Sequence, residues 1–526
     1  MFEKKKLNKL YQKSKNHEQI KNENLKETQN QHLSSDLDYN LQVIKDKIGF
    51  NSDVTIRTFN IGQSHIRASI IYVNGITNKD LINEHIMKPL MLHSLEKDTI
   101  QLSSSDHSGF KEYLKNHVLS VSAISEVHTL EELISQVLSG ATALLIGGFS
   151  DILALKTQGW KSRGIEDPPT ESGIRGPRVG FTETLEDNTA LLRRSTLDPN
   201  LTILDYTVGK RTRKTVNIAY IKDIADPELV KEVSRRIEKI DIDDVPDSGY
   251  IEQLIEDNFL SPFPQLINTE RPDRVIGALN EGRVAILLDG SPFALLAPVT
   301  FSMFLQSQED YYIRWIPGSL TRMLRFFAAF LSLFLPAIYI SFVSFHQGLI
   351  PSSLAFSIAG TRDGVPFPTL IEALVMEIAI EILREAGIRL PKPTGQAVGI
   401  VGGLVIGEAA VQAGIVSPIM VIVVSITAIS SFVLPQYAIG ITLRWQRFIV
   451  MLFAAVLGLY GVILYFLIFI IHLAKLKSFG VLYISPAVPS SLSDLKDFIV
   501  RMPLMMMKKR PTMLNPQDQV RKGSKD

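Results

Sequence analysis

Glu377, Glu381 and Glu385 recur at every fourth position of an otherwise apolar stretch, so on an α-helix their carboxylates stack on one face. Arg384 lies close to that face, Glu372 stands apart near the amino end, and the opposite face is Leu, Val and Ile. Two arrangements accommodate such a helix. Lying in a membrane interface, it keeps its acids in water at no special cost. Surrounding an aqueous path in several copies, it presents rings of glutamate that attract cations. A further acid, Glu408, sits in a second apolar run. An ionisable group in a membrane helix is kept mainly where it meets a partner or water, and an interhelical hydrogen bond and a functional site both account for this one. The candidate ion path is therefore Glu372, Glu377, Glu381 and Glu408.

The run that holds Glu408 extends from Gly395 to Gly414. Gly395, Gly399, Gly403 and Gly407 recur at every fourth position, forming on a helix a stripe without side chains against which another helix packs closely. A second cluster is basic: Arg175 and Arg178 flank Gly176-Pro177, and Arg193-Arg194 follow in the next helix. Four guanidinium groups so close can clamp a carboxylate or phosphate, or pair with Glu171, Glu183, Glu186 and Asp187 at a joint between modules. The near balance of acids and bases favours the joint.

A chain of 526 residues has room for several domains, and a net charge of +1 gives no reason to expect nucleic acid. The absence of cysteine removes disulfides, thiolate catalysis and cysteine-based metal sites. The P-loop, dinucleotide, zincin and serine-hydrolase patterns are all missing, so an enzyme is the weaker class of function and no cofactor or metal is expected.

Residues 1–36 are rich in Lys, Asn, Glu and Gln and are expected to form a disordered charged tail. From 37 to 300, short strand-like runs alternate with helical patterns, the mark of an α/β region. That region repeats itself. Leu37, Asp38, Asn40 and Ile44 match Leu185, Glu186, Asn188 and Leu192, and the segment from Gly140 to Gly148 and beyond answers the one from Gly282 to Gly290. Two tandem α/β modules follow, 37–156 and 185–300, joined by a Gly- and Pro-rich connector, 157–184. Asp289-Gly290 is a hairpin signal, and Asn78 and Asp226-Pro227 announce helices.

Glu171-Ser172-Gly173-Ile174-Arg175-Gly176-Pro177-Arg178, with Gly180-Phe181, Glu183 and the stretch Asn188 to Arg194, resembles the signature of the A subunits of GerA-type spore germinant receptors. Further matches are Pro262-Phe263-Pro264-Gln265, Thr269-Glu270-Arg271-Pro272-Asp273, Glu309-Asp310-Tyr311-Tyr312, Pro366-Phe367-Pro368 with Glu372, the Gly399 to Gly407 run, and Arg510-Pro511 with Asp518 and Arg521. The resemblance implies a multi-pass subunit in the inner membrane of a dormant spore, its N-terminal modules cytoplasmic. It implies partnership with a permease-like B subunit and a lipoprotein C subunit, and assembly into a homo-oligomer that releases ions when nutrient binds. The same motifs occur in AF-type sporulation paralogues, which leaves an accessory role open, and a transporter is a third possibility.

The helical membrane domain is placed at 301–474 and a basic C-terminal tail at 475–526. Spans are expected at Leu324–Phe345, Ala397–Val416, Pro418–Val433 and, as one long run, Phe448–Leu473. Counting the Glu-rich helix gives five. The basic tail favours an even number and the cytoplasmic side, with Arg444 and Arg447 then facing outward.

Overall fold

The structure, a computed structural model, describes residues 33–62, 66–92, 107–159, 175–390, 406–489 and 494–521, with Pro168, Glu171, Gly173 and Gly403. The expected disordered tail lies outside the described residues up to position 32. The chain forms two compact units, Met1–Thr170 with Arg178–Ile251 and Asn268–Leu295, and Glu171–Pro177 with Glu252–Ile267 and Leu296–Asp526. Residues 252–267 and those from 296 group with the helical unit.

The first unit carries two five-stranded sheets. One contains β1 (Val54–Asn60), β2 (Arg67–Val73), β3 (Ile124–Val127), β4 (Thr142–Ile146) and β5 (Ile152–Leu155), in the order β1-β2-β4-β5-β3. The other contains β6 (Leu201–Val208), β7 (Lys214–Ile221), β8 (Ile267–Thr269), β9 (Val284–Leu288) and β10 (Ala294–Ala297), in the identical order β6-β7-β9-β10-β8. The helices are α1 (Leu37–Ile48), α2 (Lys79–Ile82), α3 (Lys88–Leu92), α4 (His107–Tyr113) and α5 (Leu130–Leu138) in the first module. α6 (Leu185–Ser195), α7 (Pro227–Glu238), α8 (Ser248–Ile255) and α9 (Pro272–Leu279) follow in the second. In the first sheet every neighbouring pair is antiparallel. Successive side chains point to opposite faces of a strand. Ile71, Ala143, Leu145 and Ala154 therefore pack with α1 and α5. Ile70, Leu144, Leu153 and Leu155 pack on the other side with α2, α3 and α4. Coverage of both faces explains why β4 and β5 read as continuous apolar runs.

The duplication extends to single hydrogen bonds. Asn40 accepts from the Ser34 N–H at 2.9 Å and donates to the Ser34 carbonyl at 2.6 Å; Asn188 does the same with Thr182 at 2.7 and 2.6 Å. Gly148 and Gly290 both have positive φ, 92° and 88°, and each N–H donates to the chain just before the module's first helix, to Ser35 and Glu183. Asn78 and Asp226 cap α2 and α7 through their side-chain oxygens.

The modules meet at a buried ion pair. Arg193 on α6 donates to Asp53 at 2.6 and 2.9 Å and to the Leu201 carbonyl at 2.7 Å. With both groups nearly inaccessible, Asp53→Ala leaves the guanidinium without its counter-charge, at a cost of about 3–5 kcal/mol. Thermal unfolding of the full chain should show the loss, and an unchanged midpoint would mean the joint is held elsewhere.

The second unit is helical: α10 (Trp315–Ser344), α11 (Ser352–Arg362), α12 (Thr369–Arg389), α13 (Pro418–Phe432) and α14 (Tyr437–Lys475). α10 and α14 are long and apolar enough to cross a membrane. Only 28% of the most apolar stretch of α14 is buried, unlike the core helix of a soluble protein. Phe327, Ile422, Ile429, Val456 and Leu467 are exposed, while Arg322, Glu377 and Arg447 are buried. Apolar outside and charged inside is the arrangement lipid demands.

α14 does not run straight. Gly458 has φ 59° and ψ −141°, a conformation suited to glycine, and a Cβ there would come within 2.8 Å of His346 and 3.0 Å of Phe345. Phe453 and Tyr465 meet edge to face with 5.6 Å between ring centroids, and Tyr465 hydrogen-bonds Gln446. In an unbroken helix Phe453 and Tyr465 would stand about 18 Å apart along the axis. Thr442 donates to the Pro262 carbonyl at 2.7 Å and His472 bonds the adjacent Ser261 at 3.0 Å, so both ends of α14 reach one place. α14 is therefore a helical hairpin with its tip at Gly458. The expected single span Phe448–Leu473 is corrected to two passes, because a glycine in an apolar run carries no local mark of reversal. Since the chain lacks cysteine, Phe453→Cys with Tyr465→Cys gives a clean test: a short bifunctional thiol reagent should link the two within one chain, and failure to do so would favour a straight helix.

The remaining helices follow from end contacts. α10 leaves the polar end, where Ser319 donates to the Arg501 carbonyl at 3.0 Å, and finishes beside the Gly458 tip. α12 starts at that far end, with Thr369 3.4 Å from Ser344, and runs back until Arg384 reaches Ser431. Gly414 lies against the Gly364 carbonyl and Glu372 accepts from the Ser417 N–H, so α13 also starts at the far end. The segment after α14 returns to the end from which α10 departs. Arg444 and Arg447 both lie near the start of α14, on the polar-end side of its tip.

Candidate functional site

Glu377 and Glu381 project from α12 toward α14. Glu377 is 0% and Arg447 1% exposed, with Arg447 Nη1 3.0 Å from Glu377 Oε2. Glu381 meets three arginines: Arg384 at 3.1 Å, Arg447 at 3.3 Å and Arg444 at 3.4 Å. Four-residue spacing puts the two acids on one face, and three-residue spacing puts Arg444 and Arg447 on the facing side of α14. Arg384 also donates to Ser431 at 2.8 Å and stacks over Phe432 at 4.5 Å. Two carboxylates thus hold three guanidinium groups inside an apolar helical unit.

Nearer the far end, Glu372 is paired with Arg362 from α11 at 3.0 Å and accepts the backbone N–H of Ser417 at 2.9 Å. Ser417 is the N-cap of α13, so this carboxylate sits at a helix amino end, where the backbone dipole favours negative charge. At the polar end Asp310, fully buried, accepts from Arg325 at 2.7 and 2.8 Å and from Arg322 at 3.2 Å. Arg322 continues to Asp497 at 2.7 Å. Ion pairs are therefore present at three levels, and those of Arg447 with Glu377 and of Arg322 with Asp497 join segments distant in sequence.

Within a single chain the buried acids of the Glu-rich helix face arginine. Glu372, Glu377 and Glu381 are brought into ion pairs, while Glu408 is not among them: it is exposed and accepts from Gln412 at 3.1 Å. Glu385 is likewise exposed, paired with Arg389. Of the glycine stripe, Gly395 and Gly399 lie outside the described residues. Gly403 is exposed, and Gly407 is buried 3.4 Å from a Val421 methyl. Of the four arginines near the connector, Arg193 is at the module joint, and Arg175, Arg178 and Arg194 are exposed. Sequence reasoning missed Arg362, Arg444 and Arg447 as partners. The signal was their presence beside apolar runs, where a charge calls for a counter-charge.

Residues 42–513 match the family described as Bacillus/Clostridium GerA spore germination protein. The chain belongs to the GerA family. Spore germination protein B1 of Bacillus subtilis (strain 168) is 47% identical over 489 residues, covering 93% of this chain and 99% of that protein. Spore germination protein GerLA of Bacillus cereus is 45% identical over 478 residues, covering 91% and 95%. The crystal structure of the N-terminal domain of the A subunit of the Bacillus megaterium spore germinant receptor GerK3 shares 36% identity, covers 51% of this chain and 97% of that one, and superposes with a TM-score of 0.40. This GerA-family chain is thus an A-type spore germination protein associated with membranes, and the buried pairs Glu377–Arg447 and Asp310–Arg325 lie within the matched span.

Proposed function

We propose that this chain is the membrane subunit of a nutrient germinant receptor, and that it triggers germination by oligomerising into a nutrient-gated ion channel in the spore inner membrane. In this reading the N-terminal modules are cytoplasmic, and a permease-like B subunit and a lipoprotein C subunit complete the receptor. The observation that carries it is the buried charge of α12, where Glu377 and Glu381 face Arg384, Arg444 and Arg447 among apolar helices. Buried pairs are costly to desolvate, so a second packing that supplies the same charges with other partners competes with this one, which suits a switch between two packings. Nutrient bound in the complex favours the packing in which Glu372, Glu377 and Glu381 turn from arginine toward a path between copies, with Glu408 on the same route. The stripe from Gly395 to Gly407 serves as the helix contact that repacks, and the arginines around Arg193 couple the modules.

The test is ion and dipicolinate release from spores lacking this chain, challenged with single amino acids, sugars and nucleosides beside the intact strain. Failure for one nutrient class alone is the expected result. Slower release with every nutrient would instead indicate an accessory subunit without nutrient specificity of its own.

A further inference from the structure

The segment after α14 returns to the start of α10 and is fastened there. Asp497 accepts from the Tyr311 hydroxyl at 2.6 Å and from Arg322 at 2.7 Å, and Gln306 donates to its carbonyl at 2.9 Å. Phe498 packs edge-on against Phe326 at 5.7 Å. Arg501 is buried; its N–H donates to Ser319 at 3.1 Å, and its guanidinium donates to the carbonyls of Asp310 and Ile313. A short chain is thereby laid along the first three turns of α10.

What this fastened segment shows to its surroundings is unusual for a surface loop. Val500, Leu504, Met505 and Met506 are exposed, Met505 to 69%, beside a helix whose own Leu320 and Leu324 are exposed. Lys508 and Lys509 follow directly and are exposed, with no ion pair to either among the described residues. Asp497 is the sole acid between Lys496 and Arg510, and it is already taken by Arg322 and Tyr311. Apolar side chains continuous with the lipid-facing side of a membrane helix, bounded by unneutralised ammonium groups, match the boundary between acyl chains and anionic headgroups.

We infer that residues 499–509 form an interfacial anchor for anionic lipid: Leu504, Met505 and Met506 enter the acyl boundary, and Lys508 and Lys509 hold headgroup phosphates. The inference rests on α10 crossing a membrane, but not on ion conduction. Because Asp497 and Arg501 bind the start of α10, lipid held by the anchor bears on that helix through Arg322 and Asp310.

The full chain with Met505→Cys, carrying a fluorophore at its one thiol, is placed in bilayers of zwitterionic lipid mixed with brominated phosphatidylglycerol or brominated phosphatidylcholine. Quenching reports the relative binding of the two lipids at that position. At about fivefold for each lysine near the surface, preference for phosphatidylglycerol should reach about thirtyfold. It should approach one in the Lys508→Gln, Lys509→Gln double variant and at high salt. A probe at Ile422→Cys, on the exposed face of α13, should show no preference and reports that the protein is folded in lipid. Equal quenching by both lipids at position 505, a preference that survives loss of both lysines, or no quenching at all would each overturn the anchor.

Discussion

Replacing Arg447 by methionine is expected to destabilise the helical unit by about 3–5 kcal/mol, because Glu377 is then buried without a counter-charge. For a unit of this size that corresponds to a fall in Tm of about 10 °C. The size of the effect comes from geometry. Glu377 has no exposure and its paired guanidinium is 3.0 Å away, so water does not take over the lost interaction. Glu381 suffers less, since it keeps Arg384 and Arg444. Adding Glu377→Gln to Arg447→Met removes the stranded charge and should restore at least half of the loss. Thermal unfolding of the detergent-solubilised full chain, run as a double-mutant cycle, measures this coupling. Equal midpoints for Arg447→Met and the parent protein would rule out the pair as a structural element. A practical consequence concerns the channel reading: neutralising Glu377 and Glu381 together leaves three arginines facing each other, so reduced ion flux in that variant is informative only when protein abundance is measured beside it.

Asp310→Ala should be at least as severe, at about 5 kcal/mol, the upper end of the range for breaking a buried pair. One carboxylate here compensates two buried guanidinium groups, Arg322 and Arg325, and also closes a capping box with Ser307. Three interactions vanish together, and the start of α10 loses its attachment to the chain that precedes it. Asp497→Ala removes only the outer carboxylate of the same group, which is partly exposed, and Arg322 retains Asp310; less than half the effect is expected. The amount of chain in the membrane fraction, followed by Tm of what remains, ranks the two. A larger loss from Asp497→Ala would show that the C-terminal segment, not Asp310, holds α10 in place.

Much of the first unit was legible residue by residue. The repeated order of glycine, apolar strand, glycine and apolar strand predicts a duplicated module, and the similar positive φ of Gly148 and Gly290 and the matching bonds of Asn40 and Asn188 carry the duplication down to single atoms. Caps at Asn78 and Asp226 were readable for the same reason, since a cap is decided within three residues of itself. Antiparallel pairing was not readable, because an apolar run covered on both faces looks alike in parallel and antiparallel sheets.

The helical unit divides differently. By itself the sequence determined that the acids of α12 share one face, that the apolar runs suit lipid, and that the chain carries GerA-type motifs, because each depends on residue type and short spacing. The partners of those acids were decided by tertiary structure alone. Arg447 lies seventy residues after Glu377, and no local periodicity encodes which distant helix supplies a counter-charge. Gly458 is the sharper case. Within an apolar run it reads as an ordinary helix residue, and only the return of Tyr465 to Gln446 reveals a turn that makes one span two and brings Arg444 and Arg447 to the polar-end side. Local interactions are written along the chain, whereas a reversal or an ion pair between helices exists only once the helices have packed.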